Sequence, residues 1–155
     1  MTPRIRVQTD DFDVGQEHGL LAQSCNSGAL VTFTGMVRDL ANGTLHGLTL
    51  EHYPGMTERH LAALVDEATS RWMLNAVTVI HRVGHLARHE KIDFVGVASA
   101  HRAEAFAAAS YLMDMLKTQA PFWKKEHTAA GDYWVEARHS DDAAAARWQP
   151  ASAPE

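Results

Sequence analysis

The residues best placed to do chemistry lie in one short stretch, residues 114–126, DMLKTQAPFWKKE. The chain has only four lysines, and three of them (Lys117, Lys124 and Lys125) fall in this window beside Pro121, Phe122 and Trp123. With a formal net charge of -5, an acidic chain that gathers its amines has a local use for positive charge. A lysine held between another lysine and aromatic surfaces can have a lowered pKa and serve as amine nucleophile, proton donor or electrostatic clamp. A blander reading fits the same residues: lysines near a helix C-terminus complement its dipole, and a charge cluster is commonly a solvated face.

Other anion-seeking groups recur at the ends of elements: Arg38, the pair His101-Arg102, and Arg138. His101-Arg102 stands where a strand gives way to a helix, and helix N-terminal amides together with a guanidinium fork suit phosphate. A capping or packing pair fits that position equally. The helix between His101-Arg102 and Lys117 spans roughly 24 Å, too far for one copy to bring both ends to a small ligand. A symmetric dimer could present one end from each subunit. The residues alone therefore support an enzyme acting on a small anionic substrate, without naming the reaction.

Ten histidines invite a metal site. His81, His85 and His89 are spaced by four, but Gly84 interrupts the segment and residues 76–83 read as strand, so the three do not converge. HExxH is absent and one cysteine supplies no thiolate set, so no metal is expected. Cys25 has no neighbouring base or cation to activate it, and it reads as half-buried filler.

These residues need elements to position them. Pro121 stops a helix running in from residue 102, placing Lys117 in its last turn and Lys124 and Lys125 beyond the bend. That helix carries an apolar stripe of Ala105, Phe106, Ala109, Leu112, Met113 and Leu116. Residues 29–37, ALVTFTGMV, read as a strand with Phe33 and Gly35 on one face and a bulge or close approach at Gly35. Further strands are expected at 5–8, 45–53, 76–83, 91–99 and 133–138. Helices are expected over 14–24, capped from Asp10–Asp13, and after an N-cap at Thr57 with a stripe reaching Trp72. Turns are expected at 84–89 and Gly131-Asp132, a short helical turn at 143–146, and a frayed tail from Gln149. Helices interleaved with hairpin strands give the α+β class, here as one domain over 1–148 with a flexible 149–155. A pI near 6.0 without a broad basic footprint argues against nucleic-acid binding. No segment approaches the roughly 20 apolar residues that span a bilayer. The N-terminus lacks a secretory signal and the lone cysteine fits a reducing cytosol, so a cytoplasmic location is expected.

The segments GALVTFTGMVR (28–38), LTLEHYPGM (48–56), IHRVGHL (80–86), HRAEAF (101–106), DMLKTQAPFWKKE (114–126) and WVEAR (134–138) resemble, in order, those of the large, catalytic subunit family of molybdopterin synthase. The resemblance implies an α/β hammerhead-type fold with a mixed or antiparallel sheet. It also implies a homodimer flanked by two small ubiquitin-like sulfur-carrier subunits in a heterotetramer. The activity implied is sulfur transfer from the carrier's Gly-Gly thiocarboxylate to cyclic pyranopterin monophosphate, forming the dithiolene of molybdopterin without a cofactor in this subunit. A non-catalytic docking module for the carrier tail is the alternative. By resemblance, Lys117 is the essential amine beside the carrier terminus, and Lys124 the second pocket lysine. His101 and Arg102 reach the substrate phosphate from the neighbouring subunit, and Arg38 is a further anion-binding arginine. Phe33, Met113 and Arg138 match tail-pocket positions, although Phe33 and Met113 fit core stripes equally well. Met36 stands where some relatives carry a basic residue.

Overall fold

The computed structural model describes residues 1–39, 43, 45–135 and 139–149. In chain order they form β1 (Arg4–Gln8), α1 (Val14–Ala22), β2 (Ala29–Met36), β3 (Leu45–His52), α2 (Met56–Arg71) and β4 (Ala76–Arg82). There follow β5 (Gly84–Ala87), β6 (Lys91–Ser99), α3 (Arg102–Thr118), β7 (Phe122–Thr128), β8 (Gly131–Trp134) and α4 (His139–Ala146). The expected α+β class is what forms. One four-stranded sheet has the order β1-β4-β6-β2, with β1 and β4 parallel and its other pairs antiparallel. A second, wholly antiparallel sheet has the order β5-β3-β7-β8.

The first sheet is covered on both faces, which is why β4 and β6 read as nearly continuous apolar runs. Val77, Val79, Val95 and Val97 face α2 and α3, meeting Leu61, Val65, Ala108, Leu112 and Leu116 in the main core. Ile80 and Phe94 point the other way, against Phe12 and Leu21 beneath α1. Each such buried side chain contributes roughly 1.5–3 kcal/mol. A smaller core of Val37, Leu45, Leu48, Leu50 and Leu86 lines the inner face of the second sheet.

Several boundaries differ from expectation for identifiable reasons. Residues 84–87 form β5 rather than a turn, because Gly84 and His85 pair with Leu50 and Thr49. The turn expected at Gly131-Asp132 lies at Ala129-Ala130, since Gly131 already pairs with Thr128. α1 ends at Ala22, two residues early. The N-cap of α2 is Gly55, at φ +82°, not Thr57. Thr57 is buried instead, where its hydroxyl accepts from the Tyr53 amide and donates to the Pro121 carbonyl. Trp72 has left the helix for an extended conformation. In α3 the buried stripe is Ala105, Ala108, Ala109, Tyr111, Leu112, Met115 and Leu116, leaving Phe106 exposed. α4 is longer than the single turn expected at 143–146. Residues 136–138, the end of the expected last strand, and 150–155 lie outside the described residues. Among the described residues no helix is long and apolar enough to cross a membrane.

Candidate functional site

α3 ends at Thr118, three residues before Pro121, and β7 begins at Phe122. The proline therefore folds the lysine window back on itself. Lys117 projects from the last turn of α3, and β7 runs antiparallel to β3 with Lys124 opposite Leu50 and Glu126 opposite Leu48. Strand alternation puts Phe122, Lys124 and Glu126 on the inner face, and Trp123, Lys125 and His127 on the outer one. The three lysines thus part company. Lys117 and Lys124 share an inner cleft, while the Lys125 amine lies 5.2 Å from the Trp134 ring on the outer face.

The cleft has a volume of about 480 Å³ and is walled by Arg38, Asp39, Lys117, Lys124, Glu126 and Asp141, with Met36, Leu45, Leu48 and Ile92. A smaller adjoining space of about 210 Å³ shares Lys117, Lys124 and Asp141 and adds His81, Leu50 and Phe122. Arg38 arrives because β2 shifts register between Gly35 and Met36, the irregularity expected at Gly35. Met36, where a basic residue would add charge, contributes an apolar wall. Three cations, Arg38, Lys117 and Lys124, share the opening with three carboxylates, Asp39, Glu126 and Asp141, so an anion that enters must sit on the cationic side of a mixed-charge cleft.

Beneath Lys117 lies a group that sequence reasoning missed. Asp93 in β6 is fully buried, and its Oδ2 is 3.9 Å from the Lys117 Nζ and 3.9 Å from the His81 Nε2. The His81 ring stacks on Phe122 at 3.8 Å. Its Nδ1 lies 2.8 Å from the Arg82 carbonyl, which can only accept, so Nδ1 carries the proton. Burial pushes the imidazole pKa below its ordinary value, and the neighbouring Asp93 opposes that shift without cancelling it. The ring is therefore neutral at pH 7. A carboxylate set in the apolar run of β6, KIDFVGVAS, was the available signal. Helical spacing does not bring His81 to this carboxylate; the antiparallel pairing of β4 with β6 does, setting His81 opposite Asp93.

The remaining expected residues are distributed as follows. His101 and Arg102 are exposed at the N-terminus of α3. They stand a helix of 17 residues, about 25 Å, from Lys117, so this chain alone does not bring them to the cleft. Phe33 is 42% exposed on β2. Met113 is half-buried against the main core. Arg138 lies outside the described residues. His81, His85 and His89 do not converge: His81 is buried, the His85 ring meets His127 at 5.4 Å, and His89 occupies a turn at φ +71°. Cys25 is exposed rather than half-buried.

Comparison with known proteins agrees with this geometry. The profile of the MoaE protein family matches residues 7–119. The molybdopterin synthase catalytic subunit of Escherichia coli strain K12 is 57% identical over 146 residues, which is 94% of this chain and 97% of that protein. The solved molybdopterin biosynthesis MoaE protein from Burkholderia ambifaria MC40-6 superposes with a TM-score of 0.81 at 48% identity, covering 95% of this chain and 98% of the other. The crystal structure of molybdopterin synthase from Staphylococcus aureus gives a TM-score of 0.77 at 29% identity, over 84% of this chain and 95% of that one. A chain matched over nearly its whole length in sequence and in fold belongs to the MoaE protein family, the family of molybdopterin synthase catalytic subunits.

Proposed function

We propose that the cleft between α3, β7 and the exit of β2 is where this chain transfers sulfur from a carrier thiocarboxylate to cyclic pyranopterin monophosphate. The observation that carries this reading is the convergence of Lys117, Lys124 and Arg38 on one opening. Substrate phosphate and carrier thiocarboxylate are both anionic, and each needs a cation to hold it where sulfur changes hands. Lys117 orients and protonates reacting groups at the carrier terminus. Lys124 and Arg38 hold the anions.

The relatives' name, catalytic subunit, implies a second subunit. We assign that place to a small ubiquitin-like carrier whose Gly-Gly tail enters the cleft. Phe33, Met113 and Arg138 are proposed as tail contacts. His101 and Arg102, a helix length from Lys117, serve the cleft of a second copy, which makes the working unit a homodimer within a heterotetramer. The domain extends over 1–148, and the chain works in the cytoplasm.

The test is reconstitution of wild type and Lys117→Ala with thiocarboxylated carrier and cyclic pyranopterin monophosphate, following the dithiolene pterin as its oxidised fluorescent derivative. Product with wild type and at least a hundred-fold loss in the variant is expected. Carrier binding without product would favour the docking module. Product undiminished in Lys117→Ala would keep the activity and overturn the role given to Lys117.

A further inference from the structure

We propose that Asp93 is a positioning residue that tethers the Lys117 ammonium at the floor of the cleft. This inference rests on the reading of Lys117 as the amine that acts on the reacting groups. Asp93 comes from the central strand β6 and is fully buried, and neither of its carboxylate oxygens has a hydrogen-bond partner among the described residues. A buried carboxylate in that state is costly unless a charge or donor faces it. Two groups lie near it, each 3.9 Å from Oδ2.

His81 cannot be the donor. Its one ring proton is committed to the Arg82 carbonyl, so Nε2 presents a lone pair toward the carboxylate. That leaves the Lys117 ammonium as the charge that faces it: the side chain is 45% exposed at the cleft, and its tip stands 3.9 Å from the buried oxygen, an ionic contact rather than a hydrogen bond. A long side chain otherwise free to follow solvent is held at one end of its range. Asp93 thus joins Asp39, Glu126 and Asp141 of the cleft wall in balancing Lys117, Lys124 and Arg38, and among these carboxylates it is the buried one within 4 Å of the Lys117 amine.

The fold makes room for this carboxylate. Gly35 on the neighbouring strand β2 pairs with Asp93, and a Cβ at that position would lie 2.0 Å from Oδ1. The bulge that follows Gly35 sends Arg38 to the same cleft. One irregularity in β2 therefore admits the buried anion and delivers one of the exposed cations.

Two variants test the tether in the reconstituted complex. Asp93→Asn keeps the shape and removes the charge. Asp93→Val removes charge and polar atoms together and suits a strand, so it keeps the test decisive should the amide fold poorly. Both are expected to lower kcat about ten-fold, the scale of a slightly misplaced catalytic group. KM for the carrier should stay within about two-fold, because the amine acts on the reacting groups rather than in docking. Combined with Lys117→Ala, either variant should add no further loss, since the two residues act as a unit.

Amine labelling with acetic anhydride, read by mass spectrometry, gives an activity-independent measure. Lys117 should modify several-fold faster in both variants, with Lys91 unchanged as internal control. Wild-type kcat in both variants, or a full additional loss on top of Lys117→Ala, would overturn the tether. Full activity of Lys117→Ala itself would instead overturn the reading of Lys117, so the two failures are distinguishable.

Discussion

Replacing Gly35 with alanine probes the site and the stability of the fold together. The added Cβ would lie 2.0 Å from the Asp93 Oδ1, 3.1 Å from its Cγ and 3.4 Å from the Phe33 Cε1. Favourable heavy-atom contacts lie near 3.5–4.0 Å, so the overlap with Oδ1 is well over an ångström. Gly35 is not among the positive-φ glycines, and the cost is therefore steric. Asp93 has no access to solvent and cannot swing clear, and its other oxygen already faces His81 and Lys117. Relief requires an off-rotamer carboxylate or a shift of β2 against β6, costing about 1–3 kcal/mol. For a chain of this size that lowers Tm by about 3–10 °C, measurable by calorimetry or circular dichroism. The decisive form is a double-mutant cycle. With Asp93→Ala in place the overlapping atoms are gone, and Gly35→Ala should then cost less than about 0.5 kcal/mol, a coupling of about 0.5–2.5 kcal/mol. A Tm within about 1 °C of wild type, or an equal cost in both backgrounds, would refute the packing argument.

Two further perturbations probe other parts of the structure. His81 is neutral and buried, with its pKa held below the ordinary value of about 6.5 first by desolvation, which outweighs the opposing pull of Asp93, and then by the Lys117 ammonium. The unfolded chain therefore binds a proton that the native state refuses, and stability falls as pH drops below about 6.5, by at most about 1.4 kcal/mol per pH unit from this group. In His81→Phe that share of the slope should vanish, and urea unfolding between pH 5 and 7 showing an unchanged slope would contradict it. Trp148 anchors the segment after α4. Its indole meets Trp72 at 5.6 Å and Tyr111 at 5.7 Å edge-on, and its Nε1 donates to Asp114. Trp148→Ala should cost about 2–3 kcal/mol, below the full-burial range because the ring is only partly buried. A urea midpoint equal to that of wild type would show that α4 docks without it.

Much of this molecule was legible along the chain because it depends on local chemistry. The apolar run of 91–99, the 3.6-residue stripe ahead of Lys117, the stop imposed by Pro121 and the irregularity at Gly35 all follow from backbone preference and side-chain period, which neighbouring residues fix. Lys117, Lys124 and Arg38 were likewise visible, with His101-Arg102 and Arg138, as an unusual placement of cations in an acidic sequence, and the fold is what draws these three to one opening. β5 was hidden because its four residues are strand only through pairing with β3, some 35 positions away. Thr57 has the type of an N-cap, yet a longer-range contact with Pro121 claimed its hydroxyl. The division of the lysines between inner and outer faces, and the meeting of Asp93 on β6 with His81 on β4 and Lys117 on α3, depend on how three distant segments pack. Sequence alone determined most of the elements and the placement of cations at their ends. Only the tertiary structure decided which buried anion faces them, because electrostatic partners are chosen by distance in space and by the dielectric around them rather than by separation along the chain.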